Sequence, residues 1–127
     1  MKEKEITIAG KQVTLGYCFA TEIAYKNMAG EVIDAIIQES IAWINTKPER
    51  KPDIERSIYL VLAAVMAYYK SKGEEAPIKD TDLMNDTTPS ELGTAIGTIV
   101  NLWYEFYTIP KGEPEDKPQE GKGKGKN

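Results

Sequence analysis

The sequence predicts a mainly α-helical fold of α+β type: an N-terminal β-hairpin, a bundle of about four helices and a disordered C-terminal tail. Three observations predict it. Residues Glu5 to Gly16 alternate apolar and polar side chains with a period of two. Later stretches, up to Tyr107, repeat apolar residues at helical spacing. After Pro110 no aliphatic or aromatic residue other than proline occurs. The expected organisation is one α-rich domain over residues 1–110 and a charged Gly/Lys/Glu/Pro tail over 111–127.

In the hairpin, Ile6 and Ile8 alternate with Glu5 and Thr7, and Val13 and Leu15 with Gln12 and Thr14. A two-residue Gly10-Lys11 loop suits a type II′ turn, because glycine accepts positive φ at the first position. That loop pairs Ala9 with Gln12, Ile8 with Val13, Thr7 with Thr14 and Ile6 with Leu15. It places all four large aliphatics on one face. A one-residue slip would mix the faces. An isolated hairpin is barely stable in water, so this face is expected to pack on the helices or on another subunit.

Thr21 to Ala29 reads as a short first helix, with Phe19, Ile23 and Met28 on one face and Gly30 as its stop. From Glu31 the pattern restarts with Val32, Ile33, Ile36, Ile37, Ile41 and Ile44. Thr46 to Pro52 is a polar connection carrying Lys47, Glu49, Arg50 and Lys51. Pro52 opens the next helix near its first turn, with Asp53 and Glu55 favourable to the dipole and Lys70 and Lys72 at the far end before Gly73. Its middle is apolar all round, the mark of a central helix. Glu74 to Thr87 reads as a loop with one helical turn near Asp80 to Met84. Thr88-Pro89-Ser90-Glu91 is a capping box with proline at the first helical position. The last helix carries Leu92, Ile96, Ile99, Val100, Trp103, Phe106 and Tyr107 and ends before Pro110. Gly93 and Gly97, one turn apart, are expected to admit a close neighbour.

Composition narrows the function. The chain has 127 residues, 41% hydrophobic and 28% charged, ordinary for a globular protein. Five lysines against four acids make the tail +1, which leaves −5 of the net −4 on the body. An acidic body argues against nucleic acid as the main partner. The longest apolar run, Ile58 to Tyr69, falls short of the roughly 20 residues a membrane span needs. The N-terminus lacks the apolar stretch of a signal peptide, so a cytoplasmic protein is expected. With no histidine, a Ser-His-Asp or Cys-His arrangement is excluded, and with the lone Cys18 so are the standard zinc sites. Acids at Asp80, Asp82 and Asp86 lack the glycine of a calcium loop, and Pro89 breaks the run. No catalytic residue, metal site or cofactor site is expected, and the chain does not read as an enzyme.

The cluster Trp103, Tyr104, Phe106 and Tyr107 points elsewhere. Consecutive helical positions are about 100° apart, so one face cannot bury all four. Some must be exposed or meet a partner, and aromatics are favoured at interface centres. The candidate partner or self-association residues are therefore Ile6, Ile8, Val13 and Leu15 on the hairpin and Trp103, Tyr104, Phe106 and Tyr107 on the last helix.

Three segments carry a resemblance: Leu15-Gly16-Tyr17-Cys18-Phe19-Ala20-Thr21-Glu22, Ala67-Tyr68-Tyr69-Lys70-Ser71-Lys72-Gly73 within Ala63 to Lys79, and Trp103-Tyr104-Glu105-Phe106-Tyr107. With the hairpin, the helices and the charged end, the chain resembles the tail assembly chaperones of long-tailed bacteriophages and prophages, over most of residues 5 to 110. The resemblance implies a protein that coats the tape measure protein in many copies, keeps it soluble and helps recruit tail tube subunits. It also implies a homo-oligomer in the host cytoplasm. In many such phages a frameshift near the end of the gene yields a longer product. Glu120-Gly121-Lys122 permits the slippery codons GAG GGA AAA. The competing readings are another small morphogenesis or adaptor protein, and a regulatory nucleic-acid binder using the Lys-rich tail.

Overall fold

The computed structural model describes residues 1–46 and 52–108. The tail over 111–127 and the cluster Lys47, Glu49, Arg50 and Lys51 lie outside the described residues. The order is β1 (Lys2–Ile8), β2 (Lys11–Tyr17), α1 (Phe19–Ala29), α2 (Ile33–Thr46), α3 (Ile54–Ser71), α4 (Asp80–Asp86) and α5 (Pro89–Tyr107). The hairpin and the helices follow the fold class read from the sequence. The stretch read as a loop with one helical turn contains the complete short helix α4.

The hairpin register differs from the expected one. The turn is Ala9-Gly10, not Gly10-Lys11, and Ile6 rather than Ile8 faces Val13. Both turn residues have positive φ, 52° at Ala9 and 75° at Gly10, as a type I′ turn requires. The side-chain period is two, so this two-residue change of register leaves Ile6, Ile8, Val13 and Leu15 on the same face. Apolar alternation is therefore blind to it. Contacts from other elements hold the turn instead. Ala9 N–H donates to Glu91 Oε1 at 3.2 Å, and Lys11 Nζ donates to the Pro77 carbonyl at 3.0 Å. Glu91 thereby joins the turn to the α5 capping box, where Glu91 N–H donates to Thr88 Oγ1.

β2 lies along α3 and β1 against α5, which places the apolar hairpin face over the centre of the domain. Ile8, Val13, Leu15 and Tyr17 are fully buried there, with Tyr25, Ile36, Ile37, Leu60, Val61 and Ile99. On the free edge of β2, Thr14 N–H donates to Tyr69 Oη of α3 at 3.1 Å. Helix α3 is the central helix, burying Leu60, Val61, Ala63, Ala64, Val65 and Ala67. Its start corrects the sequence reading. Asp53 is the N-cap, accepting from Arg56 N–H, and Pro52 precedes the helix.

The two glycines of α5 differ. A Cβ on Gly93 would lie 3.3 Å from the Trp43 ring of α2, the close approach expected. A Cβ on Gly97 would meet nothing within 4 Å, so no close approach explains that residue. Gly97→Ala is expected to stabilise the domain by about 1 kcal/mol, because alanine removes backbone freedom from the unfolded chain at no steric cost. Thermal unfolding followed by circular dichroism checks it.

Arg56 of α3 joins the helices around it. Its Nη1 and Nη2 donate to the two carboxylate oxygens of Glu39 on α2, each at 2.8 Å. Its Nε donates to Glu31 Oε2 at 2.8 Å, and that oxygen also accepts from the Tyr25 hydroxyl of α1. The Arg56 hydrogen bonds hold the Glu39 carboxyl below its usual range. Folded Glu39 therefore binds its proton less readily than unfolded Glu39. Its contribution is complete at neutral pH and is lost as pH falls through its lowered folded value. Arg56→Lys cannot reproduce the fork. It is expected to cost about 1 kcal/mol at pH 7, after allowing for solvent around the half-exposed Glu39. Urea titrations at pH 7 and pH 3 check it: the difference from wild type should shrink at the lower pH.

Candidate partner-binding surface

A sharp strand-to-helix corner decides which face of α1 points outward. Thr21 Oγ1 donates to the Gly16 carbonyl at 2.8 Å and accepts from Cys18 N–H at 3.1 Å. These bonds turn Thr21 and, one turn on, Tyr25 into the core, where both are fully buried. Phe19 and Ile23, read from the sequence as sharing a face, lie on the outer side of α1 and point to solvent at 63% and 61% exposure. Burying their rings and branches was the larger hydrophobic gain, but the corner geometry excludes it.

The C-terminal end of α5 meets this outward face. The Phe19 and Phe106 rings pack edge to face with centroids 5.3 Å apart, and Phe106 meets Tyr107 at 5.0 Å. Tyr17 contacts Phe106 from the core side at 5.5 Å. Glu22 of α1 ties the ends together, accepting from the hydroxyls of Tyr17 and Tyr107. The hydrogen bond to Glu22, followed by burial, pushes the Tyr107 hydroxyl up to about 12. Tyr107 therefore remains a neutral donor to Glu22 throughout the physiological range.

The eight residues singled out from the sequence separate into two groups. Ile8, Val13 and Leu15 are fully buried within the chain, and Ile6 is half-buried against the same core. The hairpin face is thus an intramolecular contact and not a surface for a partner. Trp103 and Phe106 are half-buried. Tyr104 and Tyr107 are exposed, at 63% and 52%. Phe19 and Ile23 were missed as surface residues. Phe19 and Ile23 share one face of α1 and Thr21 and Tyr25 the other, and hydrophobicity alone favours burying the first pair.

Ile23 also begins an apolar groove between α1 and α3, lined by Ala24, Met28, Met66 and Ala67, with Cys18 and Met1 beside it. Phe106, Tyr107, Phe19, Ile23 and the groove make a run of apolar surface with no cover among the described residues. A second cleft, of about 210 Å³, lies between α3, α4 and α5 and contains the unpartnered Thr87 Oγ1. Among the described residues, no group of three His, Cys, Asp or Glu side chains is placed to hold a metal ion, and no helix is long and apolar enough to cross a membrane. Comparison with protein-family models, curated proteins and solved structures finds no match to this chain.

Proposed function

We propose that this protein is a tail assembly chaperone of a long-tailed phage or prophage, acting in the host cytoplasm by covering apolar stretches of the tape measure protein. The observation that carries the reading is the surface formed by Phe19, Ile23 and Tyr107, three large side chains more than half exposed, with Phe106 packed against both aromatic rings. A rigid surface of this kind binds without catalysis, and aromatic side chains give large contact area at low entropic cost. Many copies along one long chain gain by effective concentration, so each contact can stay weak and be released when the tube forms. Recruitment of the tail tube protein follows from the resemblance alone.

Co-expression with the neighbouring tape measure protein tests this. The wild-type chain is expected to raise its soluble fraction several-fold. Phe19→Asp with Ile23→Asp should abolish the rescue while the unfolding temperature stays within a few degrees, because both positions are exposed. A tape measure protein that stays equally insoluble with and without the wild-type chain overturns the reading. The gene order offers a second check: a very long helical reading frame just downstream and a tube-protein gene just upstream.

A further inference from the structure

In a two-residue hairpin the residues flanking the turn exchange both backbone hydrogen bonds, and the pattern alternates from there. Ile8, Ile6, Lys4 and Lys2 therefore turn their backbone groups to β2, and Thr7, Glu5 and Glu3 turn theirs to the outer edge of the sheet. On the opposite edge, Thr14 N–H finds the Tyr69 hydroxyl. On the β1 edge, Glu3, Glu5 and Thr7 are exposed, and their outward backbone groups meet no partner among the described residues. Side chains alternate with the same period, so Glu3 and Glu5 share one face with Gln12, Thr14 and Gly16, and Lys2 and Lys4 lie on the other. The Glu face thus carries two carboxylates and no cation from either strand. Neither carboxylate is in an ion pair among the described residues.

We infer that the outer edge of β1 is covered by the chain's own residues 121–126, with Lys122, Lys124 and Lys126 on the side of Glu3 and Glu5. The order Gly-Lys-Gly-Lys-Gly-Lys has the period of a strand. An antiparallel register sets Lys124 opposite Glu5 and Lys126 opposite Glu3, and puts Gly125 opposite Lys4, where no like charge then meets it. Opposite charges across a strand pair are favourable and like charges are not. A second copy of β1 fails that test. Outward residues must face outward residues, so antiparallel registers centred on Glu3, Lys4 or Glu5 set Glu against Glu or Lys against Lys. The reach is sufficient. Tyr17 pairs with Lys2 and its ring lies 5.5 Å from Phe106, so α5 ends beside the start of β1. Thr108 and Lys122 are 14 positions apart. A coil of that length spans roughly 20 Å, and a seven-residue strand is about 23 Å long. Glycine disfavours strand pairing, which keeps the contact reversible, while attachment to the same chain supplies an effective concentration on the order of millimolar. The cover blunts an unpaired strand edge that would otherwise template pairing with other chains, whatever partner the aromatic surface meets.

Amide hydrogen exchange of the full chain, read by nuclear magnetic resonance, tests this. At low salt the Glu3, Glu5 and Thr7 amides are expected to exchange about tenfold more slowly in wild type than in the triple variant Lys122→Glu, Lys124→Glu, Lys126→Glu, and high salt should remove most of the difference. The triple variant changes no residue of the described fold, so its unfolding temperature should match wild type. Adding Glu3→Lys and Glu5→Lys to it should restore slow exchange, because the charges are then swapped across the pair. Carbodiimide coupling of the wild-type chain should join Lys122, Lys124 or Lys126 to Glu3 or Glu5 within one molecule. Equal exchange in wild type and the triple variant overturns the inference. Coupling confined to Glu22 or Glu105, beside the end of α5, also overturns it, since the lysines would then be drawn to the nearest acids and not to the strand edge. So does protection that rises with protein concentration, which would put the segment on a neighbouring copy.

Discussion

Val65→Asp is expected to remove about 3–5 kcal/mol of this domain's stability and to lower its urea midpoint well below that of Val65→Ala. Val65 is 1% exposed on the central helix α3. The buried cluster containing it is made of aliphatic side chains and tyrosines, with no cation to pair an introduced carboxylate. An aspartate there must either stay charged without a partner or take up a proton and still lack hydrogen bonds. Either route costs about 3–5 kcal/mol. A domain of this length has about 5–15 kcal/mol in total. Val65→Ala separates charge from lost volume, since it deletes only two methyl groups and should cost about 2 kcal/mol. Urea unfolding followed by fluorescence and circular dichroism gives the comparison. A Val65→Asp midpoint equal to that of Val65→Ala would show that α3 is not enclosed as described.

The second large effect is expected at Gly16, where addition of one methyl group should cost about 2–3 kcal/mol. A Cβ at this position would lie 2.5 Å from Met1 Sδ, 3.1 Å from Tyr68 Cβ and 3.3 Å from Tyr68 Cα. The methionine sulfur is at the end of a flexible side chain and can swing away. The Tyr68 atoms belong to the α3 backbone or its first side-chain carbon, so β2 would have to lift from α3. That movement would strain the Thr14 to Tyr69 bond and the Thr21 to Gly16 bond that turns α1. Gly16→Ala should lower the unfolding temperature by about 10 °C or more. Gly97→Ala should raise it, so the same chemical change is predicted to act in opposite directions at two positions. A Gly16→Ala protein as stable as wild type would mean that the hairpin does not sit this close to the helix.

Much of the fold was legible because its signals are local. The α5 start at Thr88-Pro89-Ser90-Glu91, the αL stop at Gly30 and the apolar middle of α3 depend on residues within a turn or two of one another. Functional surface was harder to read. Among the four aromatics of α5, the helical angle required some to be exposed, but which ones depended on the packing of Phe106 against Tyr17 and Phe19. The hairpin face looked equally suitable for a second subunit or for the chain's own helices. Only its burial against α3 and α5 removes it from the candidate surface.

Hydrophobic periodicity, capping residues and composition by themselves determined the class of fold, the approximate helix positions and the lack of histidine-dependent chemistry, because each is a property of neighbouring residues or of the residue inventory. Tertiary structure decided the hairpin register, the outward turn of Phe19 and Ile23, and the apolar groove between α1 and α3. Those features arise from contacts between residues far apart in the chain. The Ala9 turn is held from Glu91, and the hydroxyls of Tyr17 and Tyr107 converge on Glu22. A period of two or of 3.6 fixes which side chains share a face, but not what that face will meet.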